Sequence, residues 1–90
     1  MIARVATFDE LPNDLEEGAI DLLRQTIKGV PGYVAGFHLR DPDTGKAVSV
    51  TVYEDAEALG RAGKALAARP DQRKIGIGPD RVELMEAYAF

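Results

Sequence analysis

The stretch from Pro31 to Leu59, PGYVAGFHLRDPDTGKAVSVTVYEDAEAL, decides how the rest of the chain is read. Tyr33 to Arg40 is rich in aromatic and branched residues, and Ala47 to Tyr53 (AVSVTVY) carries valine at every second position, the period of a pleated strand. Between them, Asp41-Pro42-Asp43-Thr44-Gly45 has the chemistry of a tight turn. Proline presets the first dihedral, Asp43 is placed to bond the backbone just ahead, and Gly45 supplies a positive-φ position, as in a hairpin loop closed by a glycine bulge. Glu54-Asp55-Ala56-Glu57 then makes an acidic entry into a helix.

Toward the N-terminus, Ile2 to Phe8 (IARVATF) reads as a strand, broken by Asp9-Glu10-Leu11-Pro12. Asn13 is the expected N-cap of a helix running from about Asp14 to Lys28, with Glu16 in the reciprocal capping-box position. Leu15, Ala19, Ile20, Leu22, Leu23 and Ile27 fall on one broad stripe at helical spacing. Glu17, Asp21, Arg24, Gln25 and Lys28 fall opposite as a solvated face, where Asp21 and Arg24 are spaced to pair. Lys28 suits the negative helix end, Gly29 the C-cap, and Pro31 cannot continue the helix. Toward the C-terminus, a second helix is expected from about Asp55 to Ala68, with Leu59, Ala62 and Leu66 on its apolar face and Ala58 and Ala65 beside them. Gly60 and Gly63 weaken it by about 1 kcal/mol each relative to alanine. Pro70 ends it, Asp71 to Asp80 reads as an irregular loop, and Arg81 to Phe90 as a last strand.

Ninety residues fit one domain, 1–90, and a hydrophobic fraction of 46% with 29% charged residues is that of a globular chain. No apolar run approaches the roughly 20 residues of a transmembrane helix, so no membrane association is expected. Met1-Ile2-Ala3-Arg4-Val5 lacks the basic and apolar regions of a signal peptide, which points to the cytoplasm. The absence of cysteine removes disulfides, zinc–thiolate sites and thiol nucleophiles. A formal net charge of -4, with scattered Lys and Arg, argues against nucleic acid as a partner.

The predicted order, strand-helix-strand-strand-helix-strand, is the βαββαβ plan of ferredoxin-like α+β domains: a four-stranded antiparallel sheet with both helices on one face. By alternation Tyr33, Ala35, Phe37 and Leu39 share one face of the second strand, and Val34, Gly36, His38 and Arg40 the other. The third strand sets Val48, Val50 and Val52 against Ala47, Ser49, Thr51 and Tyr53. Neither set carries the regular charges of a water-facing side, and both are compatible with helix cover. A second copy is the economical cover for the other face, giving a homodimer through sheet faces, a dimeric α+β barrel.

Pro31-Gly32-Tyr33, followed by Gly36 and Leu39-Arg40, resembles the Pro-Gly-Phe, Gly and Leu-Arg stretch of antibiotic-biosynthesis-monooxygenase-like domains in the dimeric α+β-barrel superfamily. Val52-Tyr53-Glu54-Asp55-Ala56-Glu57-Ala58-Leu59 is similar to the stretch where that family often has a W-E-S-x-E-A-L run from strand to helix, and Glu86-Ala87-Tyr88 to its closing strand. The resemblance implies a ligand cavity between sheet and helices, and for some relatives the oxidation of aromatic polyketides without metal or flavin. It implies no cofactor here. The family's frequent tryptophan is Tyr53 in this chain, and the asparagine that some active members place on the first strand is absent from Ile2 to Phe8. Haem-degrading relatives use a helical histidine, whereas the only histidine here, His38, lies on a strand.

Among the residues themselves, His38 is the natural general base, because only imidazole titrates near neutrality unperturbed. Its plainer reading is a surface or interface histidine, since no third group orients it. Arg40, two residues along, would discourage its protonation and attract an anion. Tyr53 is the second catalytic candidate, as a hydrogen-bond donor to a phenolic or carbonyl oxygen; its plainer reading is a packed aromatic. Arg40, Thr51, Phe37 and Tyr33 are the expected ligand-binding residues, although Tyr33 and Phe37, like Tyr88 and Phe90, read equally as core or interface packing. Gly76-Ile77-Gly78-Pro79 lacks the ending of a phosphate loop, and Asp41, Asp43, Glu54 and Asp55 read as turn and cap carboxylates rather than metal ligands. Two functions stay open: a cofactor-independent oxygenase acting on an aromatic or quinone-like molecule, and a non-catalytic barrel that binds a small hydrophobic molecule or only assembles.

Overall fold

The computed structural model describes residues 1–12, 17–69 and 78–90. The elements are β1 (Ile2–Phe8), α1 (Glu17–Lys28), β2 (Tyr33–Arg40), β3 (Ala47–Tyr53), α2 (Ala56–Ala67) and β4 (Arg81–Glu86), in the predicted order. The strands form one antiparallel sheet, β2-β3-β1-β4, with β1 and β3 inside. This is the ferredoxin-like α+β fold.

The β2–β3 turn closes as its residues dictate. The Asp41 N–H donates to Lys46 O at 2.8 Å, the Gly45 N–H to Asp41 O at 2.9 Å, and Gly45 holds φ +79°. The aspartate that bonds the backbone ahead is Asp41 rather than Asp43. Its Oδ1 accepts from the Asp43 N–H at 2.9 Å, and that bond, first among several, holds the Asp41 carboxyl below its usual range. Leu11 N–H donates to Gly45 O at 2.8 Å and ties the loop after β1 to the hairpin.

The register fixes which face meets the helices. Ile2, Arg4, Ala6 and Phe8 stand opposite Tyr53, Thr51, Ser49 and Ala47, and Tyr53 with Ile2 belongs to the core beneath α1 and α2. That core is built on Ile27 and Val30, on Tyr53, and on Ala58 and Ala62 of α2, with Leu23, Tyr33, Leu59 and Leu66 packed around it. Alanines four apart let α2 lie close to the sheet. Its N-cap is Asp55, whose Oδ1 accepts from the Ala58 N–H at 2.8 Å. Below it, Gly32 takes φ +92° while Arg61 donates through Nε and a terminal nitrogen to Pro31 O at 3.3 and 3.0 Å.

Three further expectations are corrected. In β2 the pairing slips between Tyr33 and Ala35: Tyr33 stands opposite Tyr53, but Ala35 opposite Val52 and Gly36 opposite Thr51. One extra residue reverses the alternation. Tyr33 therefore shares the helix face with Gly36, His38 and Arg40 rather than the other face with Ala35, Phe37 and Leu39. Leu22, placed on the buried stripe of α1, is 55% exposed. The buried arc runs through Ala19, Leu23 and Ile27, and Leu22 lies about 100° around the helix from Leu23. The last strand ends at Glu86, not Phe90: Glu86 stands opposite Ile2, the first residue of β1, and the bond after it runs from Ala87 N–H to Met1 O at 3.0 Å. Tyr88 and Phe90, past that point, are exposed and outside the core. The expected Asn13 cap, the first helical turn with Asp14, Leu15 and Glu16, the stop at Pro70 and the loop residues Asp71 to Ile77 lie outside the described residues.

The face away from the helices carries Ala35, Phe37 and Leu39, then Val48, Val50 and Val52, then Ala3, Val5 and Thr7, then Arg81, Glu83 and Met85. Charge appears only on the edge strand, where Arg81 Nε lies 3.4 Å from Glu83 Oε1. Phe37, Leu39 and Met85 are exposed on it.

Candidate functional site

Between α1 and the β2 edge of the sheet lies a cleft of about 120 Å³, walled by Arg24, Ile27 and Lys28 of α1, by Tyr33, Gly36, Phe37 and His38 of β2, and by Thr51 of β3. Its floor is low because Gly36 turns no side chain into the helix layer. A Cβ there would come within 3.1 Å of the Tyr33 hydroxyl oxygen and 3.6 Å of Thr51 Cγ2. The Tyr33 ring is held edge-on against Tyr53, with centroids 6.5 Å apart and planes at 77°. Thr51 is buried.

Arg24 spans the mouth. Its Nε–H donates to His38 Nδ1 at 3.0 Å, and a terminal nitrogen bonds Asp21 Oδ1 at 3.1 Å, the i,i+3 pair expected from the sequence. A guanidinium has only donors, so Nδ1 must hold the lone pair and the ring proton must sit on Nε2. Partial burial, and then the Arg24 charge, hold the His38 imidazole below its ordinary pKa of 6.5. His38 is thus a neutral ring whose Nε2–H is left to donate and whose one basic nitrogen is already engaged. Lys28, one helical turn beyond Arg24, adds a second cation to the wall.

Of the residues expected from sequence, His38, Tyr33, Phe37 and Thr51 all border this cleft. Phe37 does so from its strand, while its register places it with Val50 on the opposite face. Tyr53 does not border it; with 2% exposure it is the largest fully buried side chain and supports Tyr33 from below. Arg40 stands apart, beside an open groove of about 460 Å³ at the hairpin end, with Glu10, Leu11, Pro12 and the turn residues Pro42 to Gly45. Arg24 and Lys28, read from sequence as solvent-facing charges, were missed as site residues. Their spacing of four around the buried Ile27 was the available signal. Far from the cleft, the exposed Tyr88 hydroxyl donates to Glu86 Oε2 at 2.6 Å, which pushes its pKa up. Among the described residues no three His, Asp or Glu side chains gather as metal ligands, and no helix is long and apolar enough to cross a membrane.

No family model matches the chain, and no curated protein matches it. Solved structures do. The chain is similar to SnoaB, a cofactor-independent oxygenase from Streptomyces nogalater, at 20% identity over 99% of this chain and 91% of that one, with a TM-score of 0.64. It is similar to the monooxygenase ActVA-Orf6 of Streptomyces coelicolor, solved with the ligand nanaomycin D, at 16% identity over 99% and 88% of the two chains and a TM-score of 0.64. It is also similar to MupZ from Pseudomonas fluorescens, at 15% identity over 92% of this chain and 65% of that one, with a TM-score of 0.75. At such identities the likeness establishes the fold alone, which this chain shares with the two Streptomyces oxygenases along nearly its whole length.

Proposed function

We propose that this chain is the subunit of a homodimeric α+β barrel whose cleft beneath Arg24 binds a small phenolic or quinone-like aromatic, and that the bound molecule is oxidised by dioxygen without a cofactor. The observation that carries this reading is the convergence of two cations and a neutral imidazole N–H on a space about one ring wide. Direct reaction with dioxygen needs an electron-rich anion of the substrate. Arg24 and Lys28 favour that anion electrostatically, and His38 Nε2–H donates to its oxygen. For a hydroxylated anthrone, the reacting CH₂ becomes C=O, one oxygen atom enters the product and the other leaves with the two hydrogens as water. Similar folds that act as cofactor-independent oxygenases support the reading.

A cleft of about 120 Å³ is below the ~300 Å³ of a typical ligand pocket and near the ~150 Å³ known to hold benzene. A polycyclic substrate would therefore seat one ring and leave the others outside. The same small volume, with no free basic nitrogen, favours a second reading in which the barrel binds an aromatic and does no chemistry. Oxygen consumption with a hydroxylated anthrone or naphthol separates the two. Turnover that falls at least about tenfold in His38→Ala, a loss of ~1.4 kcal/mol of transition-state stabilisation, supports the oxygenase. Binding with no oxygen uptake leaves the binding module.

The apolar face of Phe37, Leu39, the three valines and Met85 supports pairing of sheet faces, at about 800 Å² per partner for an ordinary interface. Light scattering at micromolar concentration should give twice the chain mass; a monomer mass would remove the dimer. The protein would act in the cytoplasm.

A further inference from the structure

We infer that Arg24 is a positioning residue: it fixes His38 as the neutral Nε2–H tautomer and thereby restricts the cleft to ligands that present an anionic oxygen acceptor, such as a phenolate. The second half of this inference rests on the proposed ligand-binding role of the cleft; the first does not.

The geometry leaves little choice of protonation. Arg24 Nε approaches Nδ1 at 3.0 Å, and an arginine cannot accept, so a proton on Nδ1 would place two donors face to face. Arg24 is itself held from behind by Asp21 Oδ1 at 3.1 Å. Among the described residues, the other ionisable group that borders the cleft with the imidazole is Lys28 on α1; Arg40, two residues along β2, stands at the hairpin end, and the neighbours on β3 are the uncharged Ser49 and Thr51. Asp21 is the one anion in this set, and it is engaged with the guanidinium. Burial and then the Arg24 charge oppose protonation of His38, whose Nδ1 is already paired with that guanidinium. What His38 can offer a ligand is then a donor only, beside two positive side chains. An oxygen anion satisfies all three at once. A ligand amine or ammonium would meet donors and like charge, and a neutral hydrocarbon ring would leave the Nε2–H without a partner.

His38 is the only histidine of the chain, so long-range ¹H–¹⁵N NMR of the uniformly labelled 90-residue chain reads its tautomer and titration without assignment. The wild type should show Nδ1 as the unprotonated, hydrogen-bonded nitrogen and a titration midpoint below 6.5. Arg24→Met should shift the Nδ1 resonance and raise the midpoint toward the ordinary value, whereas Asp21→Asn, which removes an anion and leaves the guanidinium, should not raise it. A protonated Nδ1 in the wild type, or an Arg24→Met spectrum and midpoint equal to wild type, overturns the positioning role. For the ligand class the probe is 4-nitrophenol, whose phenolate absorbs visibly. Saturating protein should lower its apparent pKa, and Arg24→Met should abolish that change. If the NMR result holds but 4-nitrophenol neither binds nor shifts, the acceptor-ligand half is refuted and the positioning role stands. If the phenol shifts equally in Arg24→Met, the selectivity assigned to Arg24 is refuted.

Discussion

Replacing Gly32 by alanine tests the packing that sets the height of α2 above the sheet. Gly32 sits at φ +92°, and a Cβ built there falls 2.5 Å from Ala58 Cβ. Ala58 is fully buried in the core, so it cannot step aside by itself. Relief requires α2 to translate by about 1 Å, which would lengthen the Arg61 bonds to Pro31 O and disturb the packing over Tyr53. The backbone conformation costs a non-glycine residue about 1–2 kcal/mol, and overpacking a tight contact typically another 1–3 kcal/mol. The loss should total about 2–5 kcal/mol, from a domain whose whole stability is of the order of 5–13 kcal/mol at its length. At about 4–8 °C per kcal/mol for domains of this size, even the lower figure lowers Tm by roughly 10 °C. Urea titration followed by far-UV circular dichroism, at matched protein concentration, measures it. Gly60→Ala is the control: nothing lies within 4 Å of its Cβ position, so the better helix former should add about 0.5–1 kcal/mol. A loss below about 0.5 kcal/mol in Gly32→Ala would mean that α2 does not rest on this turn.

Phe37→Asp, at a position 59% exposed on the open sheet face, should leave an isolated subunit's stability within about 0.5 kcal/mol but convert a dimer to monomer by light scattering. An unchanged dimer would place the interface elsewhere. Asp55→Ala removes the acceptor of the Ala58 N–H and should cost about 0.5–2 kcal/mol in urea titration, with Asp55→Asn recovering most of it. His38 is held below 6.5 in the folded chain, so the unfolded chain binds its proton first. Its contribution to stability is therefore complete above pH 6.5 and is lost as pH falls through that value toward the folded pKa. His38→Gln should flatten the pH dependence of the urea midpoint in that window. Asp41, lowered from 3.8, gives the same sign in a separate and more acidic window.

What the sequence made legible was local. Valine at alternate positions and Asp-Pro-Asp-Thr-Gly lie within one hairpin, and Asp55 lies three residues from the N–H it caps, so strands, turn and cap could each be read from a short window. The partner of Arg24 could not. Its hydrogen bond to His38 depends on which β2 face lies under α1, a matter settled by long-range packing. The burial of Tyr53 beneath Tyr33, and the exposure of Leu22, follow from the same packing. The end of β4 was illegible for a related reason. Nothing in Ala87 to Phe90 forbids a strand; the end of β4 is set by its partner β1, whose first residue, Ile2, stands opposite Glu86.

The slip at the start of β2 connects these failures to the site. A regular strand in phase with Gly36, His38 and Arg40 would put Val34 on the helix face and send Tyr33 to the open face with Phe37. The extra residue exchanges them. Tyr33 then turns inward, finds the Tyr53 ring as a support and carries its hydroxyl over the bare backbone of Gly36, while Val34 is left exposed at the edge. Without the exchange the cleft would lose its polar end wall, and the open face would gain a phenol among its aliphatic side chains. A single unpaired residue thus serves both surfaces of the sheet. It keeps the open face apolar, as the proposed pairing with a second copy would require, and it gives the opposite face a hydroxyl at the cleft that Arg24 and His38 border.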